Sequence, residues 1–157
     1  MTSKSIYENA VLCDIDGTVA DCSHRLHWIK NKPKNWMAFY AGIPNDQPIQ
    51  PTIDVVWLIM KKNFYQPRVV FCSGRPAEYH DVTRQWFEKY MPWANKCPLY
   101  MRPTKDSRQD YIVKEELLAK IREDGYNPVL AFDDRQQVVD MWRRNGLTCF
   151  QVAEGNF

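Results

Sequence analysis

Ala10-Val-Leu-Cys-Asp-Ile-Asp-Gly-Thr18 is the stretch on which the fold turns. Its apolar run is short, lacks a helical period and passes into two aspartates and a glycine. This reads as a buried strand over 10–16, ended by a sharp turn at Gly17. Four further apolar runs repeat the pattern: Arg68–Ser73, Pro98–Met101, Pro128–Phe132 and Leu147–Val152. Helical spacing fills the intervals. Ile53, Val56, Trp57 and Met60 share one face. Gly74-Arg75-Pro76 is expected to break the chain, with Pro76 in the first turn of a helix running towards Met91 and burying Val82, Trp86 and Phe87. Tyr111 to Arg122 carries Ile112, Leu117, Leu118 and Ile121 on its apolar face. A last helix bears Val138, Val139 and Trp142 and stops at Gly146. Strands alternating with helices predict an α/β architecture, a mainly parallel sheet covered on both faces.

The chain has 157 residues, 45% of them hydrophobic and 25% charged. That suits one compact domain over 1–157 and excludes disorder and low complexity. No apolar run approaches the roughly 20 residues that span a bilayer, and the opening Met1–Glu8 lacks the layout of a secretory signal. A soluble protein without membrane contact is expected. The net charge of +2 is far from that of a protein coating nucleic acid, so any such contact needs a local patch. Cys13, Cys22, Cys72, Cys97 and Cys149 form an odd set without a C-x-x-C pair. Neither a disulfide framework nor a zinc knuckle is suggested, and a reducing cytoplasm is the expected setting.

Residues 19–51 break the strand–helix rhythm and hold four of the ten prolines. A segment this long is usually functional or separately folded, here a small cap or insert. His24, Arg25, His27, Lys30, Lys32 and Lys34 interleave with Trp28 and Trp36. The simpler reading makes Trp28, Trp36 and Phe39 the core of that cap, with solvated lysines outside. The other makes them a stacking surface for single-stranded nucleic acid.

Polar residues collect at the carboxyl ends of the strands, where open parallel sheets bind ligands. Asp14 and Asp16 are two apart, a spacing that puts both on one side of a strand. Thr18 adds a hydroxyl beside them. Ser73-Gly74-Arg75 ends the second strand and Asp133-Asp134 the fourth. Lys114 stands on a helix able to reach the same edge. Carboxylates gathered in this way repel by several kcal/mol at low effective dielectric, and Mg²⁺ is the natural counter-charge. With a Ser, a Lys and an Arg beside it, such a cluster suits a phosphate dianion. A helix N-terminus just after Ser73 would add to that preference. One carboxylate can then serve as nucleophile. Taken singly, each feature has a plainer reading: Asp134 with Gln137 resembles a capping box, and Ser-Gly-Arg alone is a turn.

Chain order separates the alternatives. A phospho-accepting receiver domain places its acidic pair on the first strand and its acceptor Asp later; here the D-x-D comes first and the pair last. Neither a G-x-x-x-x-G-K-[ST] loop nor a G-x-S-x-G elbow occurs.

Asp14-Ile-Asp16-Gly17-Thr18, then Ser73, Lys114 and Asp133-Asp134, resembles the four motifs of the haloacid dehalogenase-like phosphohydrolases. Val113-Lys-Glu-Glu116, Asp133-Asp-Arg135, Gln137-Val-Val139, Met141-Trp-Arg-Arg144 and the tail Gln151-Val-Ala153 with Gly155 and Phe157 are similar to the 3′-phosphatase domain of phage polynucleotide kinase-phosphatases. The resemblance implies a three-layer Rossmann-like sheet and a Mg²⁺-dependent phosphomonoesterase. Asp14 would be the nucleophile and Asp16, entering protonated, the general acid–base. Asp14, Asp134 and the backbone carbonyl of Asp16 would hold the metal, and Asp133 would support them or ligate. Thr18, Arg25, Ser73, Gly74, Arg75 and Lys114 would bind phosphate, with Asp110 orienting. The implied substrate is a phosphorylated DNA or RNA end. Free nucleotides are the alternative, and a silent domain binding nucleic acid or a protein partner is a third reading. No kinase half is present, so 5′-phosphorylation is not expected, and the oligomeric state is not legible.

Overall fold

The computed structural model describes residues 8–61 and 68–155. The opening Met1–Tyr7 and the terminal Phe157, both used in the sequence reading, lie outside the described residues. In chain order the elements are β1 (Glu8–Cys13), β2 (Ala20–Asp21), α1 (His27–Lys30), α2 (Trp36–Ala41), β3 (Gln47–Pro48), α3 (Gln50–Lys61) and β4 (Arg68–Pro76). There follow α4 (His80–Tyr90), β5 (Leu99–Arg102), α5 (Asp110–Glu123), β6 (Tyr126–Arg135), α6 (Gln136–Arg144) and β7 (Thr148–Gly155).

Five strands form a parallel sheet in the order β5-β4-β1-β6-β7. Period-two alternation explains the two cores. Ala10 and Leu12 of β1, with Val70 and Cys72 of β4, face Leu118 and Ile121 of α5 and Val139 and Trp142 of α6. Val11, Cys13, Val69 and Phe71 face the other way, towards Ile53 and Val56 of α3 and Trp86 and Phe87 of α4. Both faces are covered, so the strands read as unbroken apolar runs and the expected α/β class holds. The sheet order reverses between β1 and β6, and a crevice opens there at the carboxyl ends of the strands.

Several boundaries differ from the sequence reading. β1 stops at Cys13, because the amides of Thr18, Val19 and Ala20 all turn back onto the carbonyl of Ile15. That tight turn takes Ile15 and Asp16 out of the sheet, while the Asp14 amide still bonds to β6. β4 does not break at Gly74; it continues to Pro76 with an irregular register against β5 after Ser73. A 3₁₀ turn over Ala77–Tyr79 intervenes, so α4 begins at His80 and puts no helix N-terminus next to Ser73. Thr83, rather than the half-buried Val82, takes the buried place on α4. Asp134 is not a cap: β6 runs on to Arg135, and α6 starts without a side-chain cap.

The segment after β1 is clasped at its base by an antiparallel pairing of β2 with β3 (Ala20 with Pro48, Asp21 with Gln47). Its interior is Phe39, Ile29 and Ile43, whereas Trp28 and Trp36 are 43% and 45% exposed. The core reading therefore fails for both tryptophans and holds for Phe39. No helix of the described residues is long and apolar enough to cross a membrane. All five cysteines are free and buried.

Candidate active site

Asp14 leaves the end of β1 with its amide bonded to the carbonyl of Phe132 on β6 (3.0 Å). That contact fixes it beside Asp133 and Asp134. Oxygens of the three carboxylates lie within 4.8 Å of one another, and all three residues are buried. Gly17 makes this approach possible: its φ is +82°, and a β-carbon there would overlap the Asp134 carboxylate. Gly155 does the same from the back, where a β-carbon would come within 2.8 Å of the Asp134 backbone. Gln151 Nε2 donates to the Asp134 carbonyl (3.0 Å). The tail motif thus packs β7 against Asp134.

Lys114 comes up from α5, buried, and donates from Nζ to Asp14 Oδ1 (2.8 Å) and Asp133 Oδ2 (2.9 Å). Thr18 Oγ1 donates to the other Asp14 oxygen (3.0 Å), and Trp142 Nε1 to Asp133 Oδ2 (3.1 Å). Burial alone would pull Lys114 down, yet Asp133, Asp14 and Asp110 outweigh it and hold the ammonium well above the usual lysine range. Three carboxylates face one ammonium, so their mutual repulsion is only partly offset. Burial, and repulsion from Asp133 and Asp134 against the pull of Lys114, push Asp14 well above the carboxylate range. Burial and then Asp133 push Asp134 up to about 7. An all-oxygen donor set whose carboxylates crowd and repel one another fits a hard divalent cation.

Asp16 faces a different partner set. Its carboxylate accepts from Arg25 Nη2 (2.6 Å) and from Arg75 Nε (3.1 Å). Burial would raise it, but the two guanidiniums hold it down to about 2. The expectation that Asp16 enters protonated is corrected on this point, since two adjacent cations stabilise the ionised form. Its side chain is also absent from the acidic cluster, where Asp133 stands instead. The shared face expected for Asp14 and Asp16 holds only in that both line one cleft.

Behind Asp16 lies a residue the sequence reading missed. Asp46, with no solvent exposure, accepts from Arg25 through Nε (2.7 Å) and Nη2 (2.7 Å), and from Arg75 Nη2 (3.0 Å). His24 Nε2 lies 2.9 Å from its Oδ1. Arg75 Nη1 donates to Thr83 (3.1 Å), and Arg25 stacks over the Phe39 ring at 4.2 Å. The arginines expected to hold phosphate are thus engaged with carboxylates, and His24 and Arg25 leave the basic patch. No local pattern marks Asp46 within Asn45-Asp46-Gln47. Arg102 was also missed. It donates to the Gly74 carbonyl (2.8 Å) and to Asp110 (3.0 Å), and Asp110 sits 3.6 Å from Lys114. Ser73 is buried at the strand end, its Oγ accepting from the Arg75 amide (3.2 Å).

Asp14, Asp16, Asp134, Ser73 and Gly74 line a cleft of about 530 Å³, its open mouth included, together with Ile29, Trp36, Phe39 and Tyr40. Sheet order, switch-point crevice and acidic floor together define a haloacid dehalogenase-like phosphatase. The fold alone is shared with the class C acid phosphatase of Bacillus anthracis solved with tungstate bound (TM-score 0.66, 18% identity, 96% of this chain and 68% of that one). A haloacid dehalogenase-like hydrolase of Streptococcus pneumoniae shares it too (TM-score 0.63, 11% identity, 92% and 83%).

Within that class, residues 8–157 match the model of the polynucleotide kinase PNKP phosphatase domain, and the chain belongs to that family. It is 33% identical over 138 residues to a protein of Autographa californica nuclear polyhedrosis virus provisionally named a bifunctional polynucleotide kinase/RNA ligase, covering 87% of this chain and 18% of that protein. It superposes on a chain of the Pnkp1/Rnl/Hen1 RNA repair complex with a TM-score of 0.77 at 32% identity, covering 98% of this chain and 45% of that one. The chain therefore spans under half the length of these relatives.

Proposed function

We propose that this chain is a Mg²⁺-dependent phosphomonoesterase that removes 3′-phosphates from polynucleotide ends. The observation that carries this reading is the buried Asp14–Asp133–Asp134 cluster bridged by Lys114, in which carboxylates outnumber the ammonium. Membership of the polynucleotide kinase PNKP phosphatase family supports the substrate class. Asp14 and Asp134 with the Asp16 carbonyl would hold Mg²⁺, Asp133 standing beside them, and the ion would offset charge on the phosphoryl oxygens.

The chain's own groups supply the rest. Asp14 attacks phosphorus in line, forming an aspartyl-phosphate as the bond to the leaving oxygen breaks. Lys114 keeps the Asp14 carboxylate in register and draws it towards its ionised form against burial and its acidic neighbours. Asp16, ionised, draws a proton from the water that hydrolyses the aspartyl-phosphate, regenerating Asp14 and releasing phosphate. The leaving alkoxide of the first step takes its proton from Asp16, which is protonated by solvent once the incoming phosphate dianion competes for Arg25 and Arg75 and loosens their grip; the proton later drawn from water restores that acid. Ser73, Gly74 and Thr18 border the phosphate position. Residues 19–51 act as a cap over it.

The test is phosphate release from a 3′-phosphorylated oligonucleotide, with and without chelator. Asp14→Asn is expected to reduce turnover by on the order of 10³-fold or more, and single turnover in ¹⁸O-water should label Asp14. Near-full activity of the variant would remove Asp14 as nucleophile.

A further inference from the structure

We infer that α2 holds Trp36 as a stacking platform for the base of the nucleotide that carries the scissile phosphate; this rests on the polynucleotide reading above. Trp36 is an unusual residue for its place. It is 45% exposed although large and apolar, and it lines the same cleft as Asp14 and Asp134. A single exposed indole is ordinary on a protein surface, but one lining a cleft beside an acidic cluster offers the flat, polarisable face on which a base stacks.

The platform is braced from behind. The Trp36 ring meets Phe39 edge-on (5.9 Å, 88°), and Phe39 is buried beneath Arg25, the residue that grips Asp16. Tyr40 lies nearly parallel to Trp36 (5.9 Å, 22°) and continues onto Tyr79 (4.7 Å). The row is therefore rigidly referenced to the carboxylates at the cleft floor. Lys34 hovers 5.5 Å from the Trp36 ring centroid. A lysine on an exposed indole is a weak contact that an aromatic base displaces, and its ammonium is then near a backbone phosphate.

The wall chemistry also says how the base is read. Ile29, Trp36 and Phe39 give the cleft an apolar stretch that would meet a base by its face, with the Tyr40 phenol the polar group beside them. The geometry fits a single-stranded end of any sequence, anionic at one end and flat at the other.

The experiment compares phosphate release from a 3′-phosphorylated oligonucleotide with that from the same oligonucleotide ending in an abasic 3′-phosphate. Wild type should favour the base-bearing end. Trp36→Ala should lower the ratio of the two kcat/KM values by roughly 5- to 150-fold, through KM rather than kcat. Trp36→Phe should restore most of the ratio, and Trp36→Leu, which keeps apolar bulk, should not. An unchanged ratio in Trp36→Ala, or equal use of both ends by wild type, would overturn the stacking role. Equal losses on both ends would assign Trp36 to cap packing instead. Should Trp36→Ala not fold, the Phe and Leu pair decides. Wild type that hydrolyses glycerol phosphate but neither oligonucleotide would instead overturn the polynucleotide reading.

Discussion

Asp46 accepts hydrogen bonds from Arg25 and Arg75 without any contact with water, and those arginines in turn hold Asp16. Two buried guanidiniums against two carboxylates balance. Asp46→Asn leaves a buried positive charge, and breaking such a pair costs about 3–5 kcal/mol. Urea unfolding should report that loss, with a fall in phosphate release as Asp16 loses its fixed position; an unchanged midpoint would show the network to be dispensable. Gly17→Ala is expected to act the other way round. The backbone strain is modest, about 1–2 kcal/mol for a left-handed residue, but the new methyl displaces the Asp134 carboxylate, and activity should fall on the order of 100-fold. At this scale the sequence showed Asp14, Asp16, Ser73, Lys114 and Asp134, because each stands at a strand end or inside a motif. Asp46 and Arg102 were invisible, because their roles arise from partners that lie outside their own segments; for Trp36 the sequence offered a core and a stacking reading without choosing between them.

The elements differ in how much they depend on their surroundings. The five sheet strands were legible because both faces are buried and the runs are apolar throughout. Their ends were not, because hydrogen bonds that cross between segments decide them; the turn onto Ile15 and the bulge after Ser73 are two such cases. α2, only six residues long, is too short to be stable alone. It relies on its Asn35 cap, whose side chain accepts from the Ala38 amide (3.0 Å), and on the burial of Phe39. Asn35→Ala should cost about 1 kcal/mol, seen as faster amide exchange at Phe39 and Gly42 while the sheet amides stay protected. Unaltered exchange there would mean that packing alone holds the helix.

Across the whole molecule, β1, β6 and α5 each bring charge to one crevice, and folding pays for that crowding unless a cation joins it. Added Mg²⁺ should therefore raise the thermal midpoint. At 100 times its dissociation constant the gain is about 2.7 kcal/mol, and Asp134→Asn should flatten the response. A midpoint indifferent to Mg²⁺ in the unaltered protein would remove the cation from the site.

Local patterning was enough to set the class of fold, the number of sheet strands and the order of the acidic and basic motifs, because hydrophobic period and motif spacing are properties of neighbouring residues. Tertiary structure alone decided that Asp133 joins the acidic cluster, that Asp16 answers to two arginines anchored on Asp46, and that Trp36 stands open over the cleft while Phe39 goes inside. Those outcomes depend on which charges and faces meet across the fold, and burial makes each such meeting strong enough to override what a segment would do alone.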